Sequence, residues 1–356
     1  MSVIGATAPD LRGHLGVGTA ALTLAFVAQM LGAGIGSWLV GVVRHRLLEL
    51  SLMAAVAALA LVAALAAPGL AALAVAMSVT GLAAFVVNAT AQAETMRRAG
   101  SQRSAALSRY HVWGGAGAAA FPLAVAALLA AGAPWQAAFG VLAAAYGTHA
   151  AVNLPLRLVP APRPAGERRP AIGARGRWAI AVAILGGGLQ FTFPLYLASL
   201  LVDRFGASEA VGSAGVSVYA AGMLMARVGG TRALARLGDH RELWLSCATL
   251  LGGYALLAVA EGQAVMFAAA LFLGAGTGQV FPLGIARAAR EIGDDRYASG
   301  LVLMLNCVAQ MAVPAVVAVV LLGTDLTNAL LLTAPLAGVI ALAVHNSAGW
   351  RGPATR

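Results

Sequence analysis

Long, uninterrupted apolar runs constrain this chain more than any other feature. Residues 52–67 read LMAAVAALALVAALAA, and comparable stretches recur along the sequence. A water-soluble domain has no interior large enough to hide them, whereas a bilayer core takes about 20 apolar residues per helix. Only 10% of the 356 residues are charged, where soluble domains carry roughly a quarter. Spanning strands are excluded, because barrel strands alternate apolar and polar residues over about ten positions and these runs are continuous. The expected fold class is an all-α polytopic membrane protein.

Arg clusters, turn residues and Pro or Gly breaks divide the runs into helices at 19–43, 47–66, 70–92, 106–131 and 135–154, then 178–200, 211–230, 243–260, 264–287, 298–322 and 327–345. This predicts 11 transmembrane helices, five and then six. Between the groups, residues 156–177 (LRLVPAPRPAGERRPAIGARGR) are too rich in Pro and Arg for a bilayer core and read as a polar linker. The expected organisation is a helix bundle over 1–155, the linker over 156–177, a six-helix bundle over 178–346 and a tail over 347–356.

A net charge of +10 would invite a nucleic-acid reading in a soluble protein. Here the Arg residues collect in alternate loops, as the positive-inside rule requires. Of 23 basic residues, all Arg, only Arg12 and Arg204 fall on the opposite side. The Arg-rich side is therefore the cytoplasm, with the linker and C-terminus in it, and an odd number of spans places the N-terminus outside. The charge records topology, and nucleic acid is excluded as a partner. The absence of Lys reads as the composition of a GC-rich genome, and the expected location is separately a bacterial plasma (inner) membrane, crossed many times.

No acid falls at the middle of a predicted span; the nearest is Glu94, at a cytoplasmic helix end. An Asp or Glu at mid-membrane costs on the order of 3 kcal/mol and flags proton or cation coupling, so carboxylate-based coupling has no evident carrier. Cys247 and Cys307 lie in apolar runs without metal-ligand spacing. No phosphate loop, metal cluster or nucleophile with a base is present, so neither enzyme activity, metal nor cofactor is expected. The polar residues left at mid-membrane are Gln29, Asn88, Gln190, Tyr219, Gln279, Asn306 and Gln310. Each can hydrogen-bond a solute or a neighbouring helix, and as a set they read as the walls of a polar pathway. Gly186, Gly187 and Gly188, followed by Gln190 and Pro194, predict a helix bent or unwound near the midplane, with backbone groups freed for a ligand. Gly32 with Gly36, and Gly274, Gly276 and Gly278, read as close helix packing. His111 and Trp113 read as interfacial anchors, and a proton-handling role for His111 stays open.

Several stretches resemble a known family. Gly222-Met-Leu-Met-Ala-Arg227, leading through Arg232, Arg236, Gly238, Asp239 and Arg241, is similar to the Gly- and Arg-rich loop after the second helix of each half in the major facilitator superfamily. A first-half copy runs from Gly36 through Gly41 to Arg44 and Arg46, without the Asp usual there. Asn88 to Glu94 (NATAQAE), Arg97, Arg98 and Tyr110-His111, together with Gly274 to Pro282 (GAGTGQVFP), resemble the fucose permease-like sugar symporter branch. Gln190 stands where that branch has Glu, and Ala84 where it often has an acid.

The resemblance implies two six-helix bundles and a secondary transporter of a small solute, a sugar or polyol first, working by alternating access as a monomer. It implies a solute site at Asn88, Gln190, Tyr219, Gln279, Asn306 and Gln310, and gating residues Gly36, Arg44, Arg46, Glu94, Gly222, Arg227, Arg232, Arg236 and Asp239. Efflux of amphipathic compounds and a truncated, non-transporting carrier are the alternatives. Leu11 to Gly16 resembles the external loop before the family's second helix. The family's first helix is then missing, and an incomplete chain with one more span upstream is expected.

Overall fold

The computed structural model describes residues 3–42, 50–99, 103–154, 172–292 and 295–347. Arg44, Arg46, most of the expected linker and the tail beyond residue 347 lie outside them. Glu94, Arg232 and Arg236 fall on described helices, with their side chains outside the described part.

In the first half come α1 (Val3–Ala6), α2 (Ala8–Leu15), α3 (Thr19–Val42), α4 (Leu50–Leu65), α5 (Leu70–Ala99), α6 (Arg103–Ala130) and α7 (Gln136–Asn153). The second half has α8 (Ala174–Phe205), α9 (Glu209–Ala258), α10 (Gln263–Gly278), α11 (Val280–Ile292), α12 (Asp295–Leu321), α13 (Leu326–Leu331) and α14 (Ala334–Asn346). No strand occurs among the described residues. Among the described residues, eight segments are long and apolar enough to cross a membrane: α3, α5, α6, α8, α9 up to Gly230, α10 with α11, most of α12, and α13 with α14. The predicted spans 47–66, 135–154 and 243–260 fall on the shorter apolar α4, on α7 and on the second half of α9, none of which is among these eight. The bundles meet where α3 packs on α12 and α6 on α9.

Four local expectations are corrected. The expected spans 211–230 and 243–260 run into one another as α9, broken only at Gly238 (φ 74, ψ 162), a conformation that glycine alone adopts readily. The helix expected from 178 begins at Ala174, so Arg175 and Arg177 belong to it. The expected external loop Leu11 to Gly16 is the end of α2, closed by Gly16 in the left-handed region (φ 65), whose N–H donates to the Arg12 carbonyl. Finally, α8 is continuous across Gly186 to Pro194.

Those glycines make room for neighbours. A Cβ on Gly186 would lie 2.4 Å from Val280 Cγ1, and one on Gly187 1.6 Å from Asn306 Oδ1. The same device recurs at Gly32 against the Ser78 carbonyl (1.9 Å), Gly81 against Gln29 O (1.9 Å) and Gly274 against Tyr219 O (1.9 Å). Without a hydrophobic drive between helices in lipid, such backbone-to-backbone approach is what holds them together. Gly32→Val is therefore expected to push α3 from α5 and destabilise the detergent-purified protein by about 1–3 kcal/mol. Gly140→Val, where a Cβ meets nothing within 4 Å, should leave the melting temperature nearly unchanged; equal melting of both variants contradicts the packing role.

Candidate functional site

Pro194 has no N–H, so within α8 the carbonyl of Gln190, four residues earlier, has no helical donor. Inside a membrane that carbonyl needs a protein partner. The Tyr219 hydroxyl on α9 supplies it, donating to Gln190 O at 3.1 Å and lying 2.8 Å from Thr277 Oγ1 on α10. Tyr219 is fully buried. One phenol thus clips three helices of the second bundle, and its polar atom is committed to the protein.

A second break lies at Gln279, which separates α10 from α11. Its Nε2 donates to Ala226 O (2.8 Å) and Arg227 O (3.4 Å) on α9. The carbonyl of Gly278 receives Nε of Arg227 at 3.1 Å. Arg227 also donates from Nη1 to His111 O on α6 (3.4 Å) and from Nη2 to Gln190 Oε1 on α8 (3.4 Å). Only 7% of Arg227 is exposed. The residue expected with the cytoplasmic loop is thus a buried cation inside α9, touching both bundles. Gly115 on α6 packs beside it, at a distance where a Cβ would be in ordinary contact with Arg227 Nη1 (3.5 Å).

Asn306 and Gln310, one turn apart on α12, are 4% and 2% exposed, and their side-chain oxygens Oδ1 and Oε1 have no hydrogen-bond donor among the described residues. Asn306 faces Gly187 on α8, one turn before Gln190. Asn88 on α5 accepts from the Tyr110 hydroxyl of α6 at 2.6 Å. Of the expected solute-site residues, Gln190, Tyr219 and Gln279 therefore gather around Arg227, Asn306 and Gln310 line α12 with unspent acceptors, and Asn88 pairs with Tyr110 within the first bundle.

Among the expected gating residues, Gly36 and Gly222 are helix contacts: a Cβ on either would meet the Leu82 carbonyl (2.4 Å) or the Leu271 carbonyl (2.2 Å). Asp239, just after the Gly238 break, pairs with Arg290 of α11. At the Arg-poor end, Arg12 of α2 bridges Asp203 of α8 at 2.7 Å and donates to Thr19 Oγ1 at 2.7 Å. Nearby, Thr23 Oγ1 and the Tyr196 hydroxyl are 2.8 Å apart, and Ser213 Oγ donates to Pro122 O at 2.9 Å. These contacts latch the first half to the second at that end. Sequence reading missed the latch because its partners lie up to 191 residues apart; the lone Arg12 and Arg204 on an Arg-poor side were the available signal. A separate cavity of about 490 Å³ at this end, beside Asp203, Arg204 and Asp325, is confined to the second bundle.

The family model described as Major Facilitator Superfamily matches residues 1–314. No curated protein matches the chain in sequence. Solved structures do. A nucleoside transporter, NupG, superimposes with a TM-score of 0.71 at 15% identity, covering 97% of this chain and 96% of its own. The E. coli fucose:proton symporter FucP gives 0.62 at 15% identity over 97% and 96%. A bacterial homologue of the human lysosomal transporter Spinster, in an inward-facing and occupied conformation, gives 0.66 at 12% identity over 99% and 95%. At these identities the likeness is one of fold.

Two outcomes follow from the geometry. Tyr219→Phe leaves the Gln190 carbonyl unpartnered and is expected to cost about 1–3 kcal/mol of stability, read as a lowered melting temperature; an unchanged one removes the clip. Asp10, on α2 outside the membrane-crossing segments, is half-buried beside the Glu209 carboxylate, and both effects push its carboxyl from 3.8 up to about 7. A carboxyl raised on folding takes up a proton, so stability complete at low pH falls as pH rises from about 4 to about 7. Asp10→Asn should flatten that slope in a pH series of melting curves, and an equal slope in both proteins counts against it.

Proposed function

The chain belongs to the major facilitator superfamily, and we propose that it moves a small polar solute bearing hydroxyls, a sugar or polyol, by alternating access between the two bundles. The observation that carries this reading is the pair of buried acceptors on α12, Asn306 Oδ1 and Gln310 Oε1, with no donor among the described residues. A buried polar atom left unpaired costs about 1–3 kcal/mol, and solute hydroxyls would supply the missing donors. Gln190, one turn beyond Gly187 on α8 and in contact with Arg227, joins them in the proposed site. Tyr219 and Gln279, whose polar atoms are spent on backbone carbonyls, shape the site and hold its helices.

The latch of Arg12 with Asp203 and Thr23 with Tyr196 at the Arg-poor end supports a state closed on that side. From the Arg partition we place that side outside the cell, and the linker and C-terminus in the cytoplasm of a bacterium. The transporter works as a monomer in the lipid bilayer.

Uptake of a panel of labelled sugars and polyols into liposomes carrying the full chain tests the reading. Asn306→Ala and Gln310→Ala should each lower uptake of the accepted solute by about tenfold, one hydrogen bond's worth. Extrusion of amphipathic dyes with no sugar or polyol uptake would replace the reading with efflux, and no transport of either class would leave a non-transporting carrier.

A further inference from the structure

We propose that the solute carries a carboxylate, on a small hydroxylated molecule such as a sugar acid, and that Arg227 is the residue that binds it. This rests on the polar layer being the solute site.

Arg227 lies within the crossing segment Glu209–Gly230 and is 7% exposed. Its three partners, the carbonyls of Gly278 and His111 and the amide oxygen of Gln190, are all neutral. Among the described residues the ion pairs are Arg12 with Asp203 and Arg290 with Asp239, and neither involves Arg227. The other well-buried guanidinium, Arg287, differs: it sits at the Arg-rich end, donates to Ser347 Oγ at 2.8 Å and feels the carboxylates of Asp239 and Glu291. A buried charge without a counter-charge is costly, and in a membrane it marks a place where charge is handled.

The geometry selects the ligand. A guanidinium has five N–H donors in a planar fork. Three are spoken for in Arg227, two of them at the long distance of 3.4 Å, so each terminal nitrogen keeps one proton for an incoming acceptor. A carboxylate matches a fork of that shape and supplies the missing negative charge. Gln190 needs only to rotate its amide to release Nη2, and its freed oxygen then accepts from a hydroxyl. Asn306 and Gln310, with oxygens that lack donors, suit the hydroxylated remainder of the same molecule. Because Nη1 reaches the first bundle through His111 while Nε and Nη2 hold the second, a carboxylate on this fork would bear on the contact that alternating access must remake.

The test uses the full chain in liposomes and three labelled probes built on one ring: galacturonate, its neutral methyl ester, and galactose. Wild type is expected to take up galacturonate at least about tenfold better than either neutral probe. Arg227→Gln should abolish that preference, and Arg227→Lys should keep part of it, since the charge remains without the fork. Equal or better uptake of the ester or galactose by wild type overturns the proposal and leaves the transport of neutral solutes standing; this arm needs no variant to fold. An Arg227→Gln protein of unchanged melting temperature that keeps the preference also overturns it. Uptake of none of the three refutes the proposal, and the wider panel above then decides separately whether the chain transports at all.

Discussion

Inside a hydrocarbon layer no water is at hand to satisfy a carbonyl, an amide or a charge, and the rest of the structure depends on how the chain meets that shortage. Pro194 opens α8 at the Gln190 carbonyl, and Tyr219 closes the opening from α9. The helix ending at Gly278 leaves a carbonyl that Arg227 takes, while Gln279 turns its amide back onto α9. Each repair comes from a neighbouring helix, so each also fixes how α8, α9 and α10 sit together. Asn306 Oδ1 and Gln310 Oε1 on α12 are among the buried atoms left without a partner among the described residues.

Small residues make such repairs possible. Tyr219 and Thr277 come within 2.8 Å because Gly274 lets α10 lie against the α9 backbone. Gly187 opens the space that Asn306 occupies. The same chemistry serves packing and site building, since a helix face without Cβ atoms admits either a backbone or a polar side chain. Glycine contacts join helices within each bundle and also reach across, where Gly5 of α1 meets the Pro194 carbonyl of α8; at the Arg-poor end the side-chain pair of Arg12 with Asp203 adds to that contact.

The all-helical fold was legible because apolar runs of bilayer length and the alternation of Arg have physical causes that act locally. Most helix starts were legible to within a few residues, whereas α5 runs seven residues past its expected end and the breaks after Gly278 and Leu331 were not foreseen; some signals also had two meanings. Gly186 to Gly188 reads as a helix breaker by propensity and as a contact surface by size, and packing against Val280, Asn306 and Val313 decided for the second. Arg227 was read with the loop because its motif neighbours, Arg232 to Arg241, continue past it. Its burial became visible only when α6, α8 and α10 were placed around it.

By itself, then, the sequence determined that the chain is a bundle of membrane-crossing helices in two groups, with one basic side, because burial of apolar surface and exclusion of charge from lipid act on each segment alone. Which polar residues are spent on the protein and which are left over was decided by tertiary structure. Tyr219, Gln279, Asn306 and Gln310 are alike in sequence, all polar residues within apolar runs. They differ in what lies opposite: a carbonyl freed by Pro194 for one, the α9 backbone for another, and no donor for the α12 pair. A hydrogen bond requires two groups at about 3 Å, and only the folded chain sets that distance.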